Sequence, residues 1–141
     1  MTATVTHLPA SSTSAPTSSP SKTRRRAGWI VSALPALFLA FDGTIKLALI
    51  EPVRASFATM GIPAHLARGI GALELALVAL YLVPRTAALG FLLLTGYLGG
   101  AVALHLRLGD PLLSHTLFPI YVGAALGVGL ALRDRRVAAL L

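Results

Sequence analysis

The run Ala87-Ala88-Leu89-Gly90-Phe91-Leu92-Leu93-Leu94-Thr95-Gly96-Tyr97-Leu98-Gly99-Gly100-Ala101-Val102-Ala103-Leu104-His105-Leu106 holds 20 residues without one Asp, Glu, Lys or Arg. As an α-helix it would measure about 30 Å, at roughly 1.5 Å per residue, the thickness of a bilayer's hydrocarbon core. A helix on the surface of a soluble bundle needs a polar stripe, and Ala87–Leu94 has none. Three more apolar runs accompany it: Gly28–Ile50 with 23 residues, Leu66–Val83 with 18 and Ser114–Leu132 with 19. Leu66–Val83 is the shortest and carries Arg68 and Glu74. The four runs predict an all-α fold: an antiparallel bundle of four transmembrane helices at about 28–50, 66–83, 87–106 and 114–132, in a membrane domain spanning 28–141.

Composition agrees. Of 141 residues, 55% are apolar and 12% charged, against roughly 45–50% and about 25% in an average soluble domain. Mean hydropathy is +0.78. Cysteine is absent, which excludes disulfides, thiolate nucleophiles and Cys-ligated metal clusters.

Residues 1–27 differ from the rest. Ser11-Ser12-Thr13-Ser14-Ala15-Pro16-Thr17-Ser18-Ser19-Pro20-Ser21 has no hydrophobic period and too little apolar surface to offset the entropy of ordering. It reads as a disordered tail ending in the basic cluster Lys22, Arg24, Arg25 and Arg26. Arginines ahead of an apolar stretch also begin twin-arginine signals. The 23-residue run that follows exceeds a signal's usual apolar core and lacks a clear small-x-small cleavage site, so a retained first helix is expected.

With four spans both termini share one side. That side holds Lys22, Arg24, Arg25, Arg26, Arg85, Arg133, Arg135 and Arg136; the opposite side holds Arg54, Arg68 and Arg107. The positive-inside rule then places both termini in the cytoplasm of a multi-pass plasma-membrane protein. The net charge of +7 is explained by this topology signal, and no nucleic-acid partner is expected. Pro84-Arg85-Thr86 permits only a tight antiparallel hairpin. In Glu51–His65, Pro52 can open a helix, Val53, Phe57 and Met60 share a face, and Gly61-Ile62-Pro63 ends it. This predicts a short interfacial helix on the outer leaflet.

Ionisable residues at membrane depth are costly and usually face the bundle interior. Asp42 and Lys46 stand four apart on one helix face. Glu74 lies near the centre of the second run, Tyr97 near the centre of the third and His105 near its outer end. Depth alone allows Asp42, Lys46, Glu74, Tyr97 and His105 to converge in the outer half of the bundle. Such a cluster is either a structural polar network or a site that binds or transfers something. His105, Asp110 and His115 have no recognised ligand spacing, and no metal is expected. Gly96/Gly100 and Gly123/Gly127 form GxxxG pairs that let helices approach closely in lipid, within the chain or across a homodimer. Pro35 and Pro119 are expected to kink the first and fourth helices. There is no nucleotide-binding, haem-attachment or zinc-protease motif.

The order of several segments resembles the DoxX-like family of small four-helix membrane proteins. They are Phe41-Asp42-Gly43-Thr44-Ile45-Lys46-Leu47, Met60-Gly61-Ile62-Pro63, Gly71-Ala72-Leu73-Glu74-Leu75, Tyr81-Leu82-Val83-Pro84-Arg85-Thr86, Leu94–His105 and Leu117-Phe118-Pro119-Ile120, within roughly residues 29–136. The resemblance implies a link to membrane redox or oxidative-stress complexes, since some distant relatives are subunits of a thiosulfate:quinone oxidoreductase. It assigns no catalytic residue, and without cysteine no thiol chemistry carries over. Three expectations follow. One is an accessory or scaffold component with membrane redox partner proteins. Another is a quinone-binding oxidoreductase subunit in which Lys46, Tyr97 or His105 donates to the quinone carbonyls. The last is a proton-coupled or lipid-handling transporter using Asp42 and Glu74. No cofactor other than a quinone is suggested.

Overall fold

The computed structural model describes residues 21–138. The elements are α1 (Lys22–Ala48), α2 (Glu51–Thr59), α3 (Leu66–Leu82), α4 (Ala87–Leu108), a π-helical segment Leu112–Thr116, α5 (Phe118–Arg133) and the short α6 (Arg135–Ala138). Among the described residues there is no β-strand. The expected tail over residues 1–20 lies outside the described residues.

Helix α1 starts at Lys22, six residues before the apolar run that predicted it. The Ser21 hydroxyl accepts the Arg24 backbone N–H at 3.2 Å, so a side-chain cap sets the start ahead of the hydropathy change. Lys22 and Arg24–Arg26 therefore belong to the first helix rather than to the tail. Helix α1 ends where Leu49 turns left-handed at φ 53° and its N–H bonds back to the Lys46 carbonyl. Pro52 occupies the first turn of α2, where a missing N–H costs nothing. Val53 and Phe57 of α2 pack with Ala67 of α3 into a small second core. The short helix is thus present where the loop's spacing predicts it.

Helices α1, α3, α4 and α5 close a ring: α1 packs on α3 and α5, and α4 packs on the same two. Neighbours run antiparallel. Gly28 at the start of α1 lies against Gly129 near the end of α5, and Gly43 late in α1 lies against Gly71 early in α3. Leu39, Leu77, Leu94, Leu98, Leu126 and Leu130 fill the ring's interior. Its outer surface is apolar: Leu34 is 78% exposed, Ile30 73% and Leu92 67%. A soluble monomer rarely shows a contiguous apolar surface of this kind; lipid covers it.

Three stretches are long and apolar enough to cross a membrane: Lys22–Ala48, Ala87–Leu108 and Leu112–Arg133. Helix α3, with 17 residues, is about 26 Å long at the usual rise and falls short of them. Among the described residues, length and apolarity thus single out three candidate spanning helices, and α3 is not one of them.

The close helix contacts are not where the GxxxG spacing placed them all. Gly127 faces the Phe91 ring and Gly123 faces Leu98, as expected for packing of α5 on α4. A Cβ at Gly96 or Gly100, however, would meet nothing within 4 Å. The spacing fixes a shared face, but in α4 that face borders a cavity. The contacts that need glycine are elsewhere. A Cβ on Gly71 would lie 2.6 Å from the Gly43 carbonyl oxygen, and one on Gly90 would lie 2.3 Å from the Tyr81 backbone nitrogen. Pro119 likewise differs from expectation. It sits in the first turn of α5, after the π-helical segment, and so opens a helix rather than kinking one. Pro35 lies inside α1.

Gly90→Ala should destabilise the protein by about 1–3 kcal/mol, the usual cost of forcing a methyl into a filled site. Gly96→Ala and Gly100→Ala should change stability by no more than about 0.5 kcal/mol. Unfolding in mild detergent measures all three. Equal losses at positions 90 and 96 would contradict the packing described.

Candidate functional site

Helix α1 carries Asp42 and Lys46 one turn apart, α3 carries Glu74 at mid-length and α4 carries Tyr97. Gly43 and Gly71 let α1 and α3 approach closely beside this level. The Lys46 ammonium extends into the gap and donates to Asp42 Oδ2 at 2.5 Å, Glu74 Oε2 at 2.8 Å and Tyr97 Oη at 3.1 Å. Tyr97 Oη in turn donates to Glu74 Oε2 at 2.8 Å. Four of the five residues expected to converge are therefore in one network. Glu74 is fully buried, whereas the Asp42 side chain is 31% exposed.

A donor count defines what this network can still do. An ammonium has three N–H groups, and all three are used. The Tyr97 hydroxyl has spent its proton on Glu74. Among the buried groups of the cluster, Glu74 Oε1 has no hydrogen-bond partner. What remains open is an acceptor, not a donor. With both carboxylates ionised the cluster also holds one more negative than positive charge. A proton would satisfy the open acceptor and remove the excess charge, whereas a neutral donor on a bound molecule would satisfy the acceptor alone.

The network lines a cavity of about 660 Å³. Its wall is mainly apolar, with Phe38 and Ile45 of α1, Phe57 of α2, Leu73 of α3, Leu104 of α4 and Val122 of α5 among the lining residues. Gly96 and Gly100 give α4 a bare surface there. This volume is within the range of small-molecule and cofactor sites.

His105 does not join the cluster. Its Nδ1 lies 2.6 Å from Asp110 Oδ2, so the α4 terminus holds it in a local pair, although its side chain also borders the cavity. Spacing placed His105 and Tyr97 on neighbouring parts of one face, but the nearby Asp110 carboxylate became its partner. Arg85 is exposed in the α3–α4 turn and Arg24 is half-buried, donating to the Ala131 carbonyl at 3.1 Å.

Arg133 has a second character that its place in the charge asymmetry concealed. It is only 9% exposed. Its guanidinium lies 4.3 Å from the Trp29 ring centroid and 4.4 Å from that of Tyr81, and it donates to the Tyr81 carbonyl at 2.9 Å. The Tyr81 hydroxyl donates to the Leu126 carbonyl at 2.8 Å and so accepts from the Ser32 hydroxyl at 2.8 Å. Ser32, Tyr81 and Arg133 thus tie α1, α3 and α5 together at the end opposite α2. The segment Tyr81-Leu82-Val83-Pro84 was visible in the sequence, but nothing in its spacing pointed to Ser32 or Arg133.

The DoxX-like family model matches residues 30–129 of this chain. No curated protein and no solved structure matches it. The matched region includes Asp42, Lys46, Glu74 and Tyr97 and stops before Arg133.

Double-mutant cycles should show Lys46 and Glu74 coupled by about 0.5–3 kcal/mol, as for groups in contact. Coupling of Lys46 to the more exposed Asp42 should be smaller. The variants are Lys46→Met, Glu74→Gln and Asp42→Asn, with the Lys46 doubles, all unfolded in detergent. Additive losses for Lys46 and Glu74 would show that the two do not act as one unit.

Proposed function

The chain belongs to the DoxX-like family, and from that premise we propose an accessory component of membrane redox or oxidative-stress processes that holds a lipophilic hydrogen-bond donor, a quinol, against Glu74. The observation that carries the reading is the pairing of an apolar cavity of about 660 Å³ with a buried carboxylate oxygen that lacks a partner. An apolar tail would occupy the cavity between the helices. The hydroxyl of the head would donate to Glu74 Oε1 and complete the network. The oxidised quinone has only carbonyl acceptors at its head, and the cluster as arranged has no free donor for them. Discrimination between the two forms is therefore part of the proposal.

The same reading places the protein in the plasma membrane with four spans and both termini in the cytoplasm. Helix α3 is the fourth span, shorter than the others. Its place in the antiparallel ring supports this, because α3 runs the full distance between the close contacts at Gly71 and Tyr81. The basic residues at the ends of α1, α3 and α5 favour the cytoplasm.

Proton or cation transfer is a second reading, favoured by the excess carboxylate in the cluster. It needs no bound carrier, and the ligand test below separates it from the first.

Protein purified in mild detergent should retain a quinone-class molecule, identified by mass spectrometry, and should bind an added short-chain quinol more tightly than its quinone. In Glu74→Gln the amide oxygen must face Lys46 and Tyr97, so the amide NH₂ replaces Oε1 and an acceptor becomes a donor. Quinol affinity should then fall about tenfold, the effect of one hydrogen bond to a charged group, while quinone affinity should rise. Retention of phospholipid alone, unchanged in Glu74→Gln, would reject the carrier reading.

Reporter fusions after residues 60 and 110 should appear outside the cell, and fusions after residues 10 and 140 inside. Opposite locations for residues 10 and 140 would mean an odd number of spans.

A further inference from the structure

At the end of the bundle far from the Lys46 cluster, a second pocket of about 290 Å³ opens where α1 begins and α3 and α5 end. Arg25, Trp29, Arg133 and Asp134 line it. Arg133 is more than nine-tenths buried, with its guanidinium over the Trp29 and Tyr81 rings. Only Nη2 has a hydrogen-bond partner, the Tyr81 carbonyl. Nε and Nη1 are buried with no partner among the described residues. Two backbone carbonyls at this end are engaged elsewhere, Leu126 by the Tyr81 hydroxyl and Ala131 by Arg24, and the Asp134 carboxylate attracts the Arg133 guanidinium without a hydrogen bond to Nε or Nη1.

A buried guanidinium with unpaired N–H groups is costly unless something accepts from them. A planar fork of donors suits a tetrahedral oxyanion better than a single carbonyl. Arg25 contributes a second guanidinium to the pocket, against the one carboxylate of Asp134. The pocket also lies at the basic end of the molecule, with Lys22, Arg24, Arg26 and Arg85 nearby along the ends of α1 and α3. Basic pockets between transmembrane helices at this level take anionic head groups, and Trp29, 36% exposed, is a residue that favours the membrane interface.

We propose that this pocket binds a phosphate group, with Arg133 Nε and Nη1 donating to its oxygens and Arg25 closing on it from the first turns of α1. The phosphate belongs either to an anionic phospholipid or to a free phosphate. The site is separate from the Lys46 cluster and does not depend on what that cluster holds.

The test uses the full chain in nanodiscs and in detergent. Binding of phosphatidylglycerol is read by native mass spectrometry and by the shift in unfolding temperature. Inorganic phosphate is titrated in phosphatidylcholine nanodiscs as the second arm. Arg25→Gln changes an exposed side chain and should leave unfolding in pure phosphatidylcholine unchanged. It should weaken binding of the phosphate-bearing species about tenfold, the loss expected for a hydrogen bond between charged groups. Arg85→Gln, with the same charge change outside the pocket, should weaken it far less, and Glu74→Gln not at all. Arg133→Gln should abolish the stabilisation by ligand, whatever it does to basal stability. Stabilisation by phosphatidylglycerol but not by inorganic phosphate assigns the site to lipid; stabilisation by both assigns it to phosphate in general. Binding of neither, or equal losses in Arg25→Gln and Arg85→Gln, would overturn the proposal.

Discussion

One ammonium group in an apolar bundle sets the constraint around which the half of this protein that holds α2 is built. Lys46 cannot be left unpaired at membrane depth, and α1 alone supplies only Asp42. The remaining two donors need acceptors from other helices, and Glu74 and Tyr97 provide them. Three helices are therefore fixed in rotation and depth by one side chain. Apolar packing cannot do this in lipid, because the tails are as apolar as the leucines they would replace. Burial makes the network demanding as well as specific, since removing one partner strands a charge.

The opposite end is held by different means. There the helices approach through Gly28 and Gly129, and through Gly90 against the Tyr81 backbone. Ser32, Tyr81 and Arg133 add hydrogen bonds where the backbones are close. Both ends thus use polar contacts to do what hydrophobic burial does in a soluble bundle. They differ in what is left over: an acceptor at Glu74 beside a large apolar cavity, and donors at Arg133 beside a small basic one. The two unsatisfied groups have opposite sign, and each belongs to a residue that lines a pocket.

Between the ends, the bare face of α4 at Gly96 and Gly100 takes on meaning from its surroundings. Small residues in a membrane helix allow a neighbour to come close. Here no neighbour does, and α2 completes the cavity's wall from the side with Val53 and Phe57. The short helix between α1 and α3 is therefore part of the site as well as a connection.

The all-helical fold, the apolar stretches and their order were legible in the sequence because bilayer thickness dictates run length and lipid permits no polar stripe. The short α2 was legible from Pro52 and the Val53–Phe57 spacing. The Asp42–Lys46 pair followed from the helical period, and Glu74 and Tyr97 could be matched to it in depth. Depth does not give rotation about the helix axis, so only the tertiary structure decided that Tyr97 reaches Lys46 while His105 turns to Asp110. It likewise decided that Arg133, expected as a topology signal by position, lies buried against two aromatic rings, and that Gly96 and Gly100 face a cavity while Gly71 and Gly90 make the tight contacts. Sequence periodicity states which residues share a face; what that face meets is set by how the other helices pack, and that depends on contacts between residues far apart in the chain.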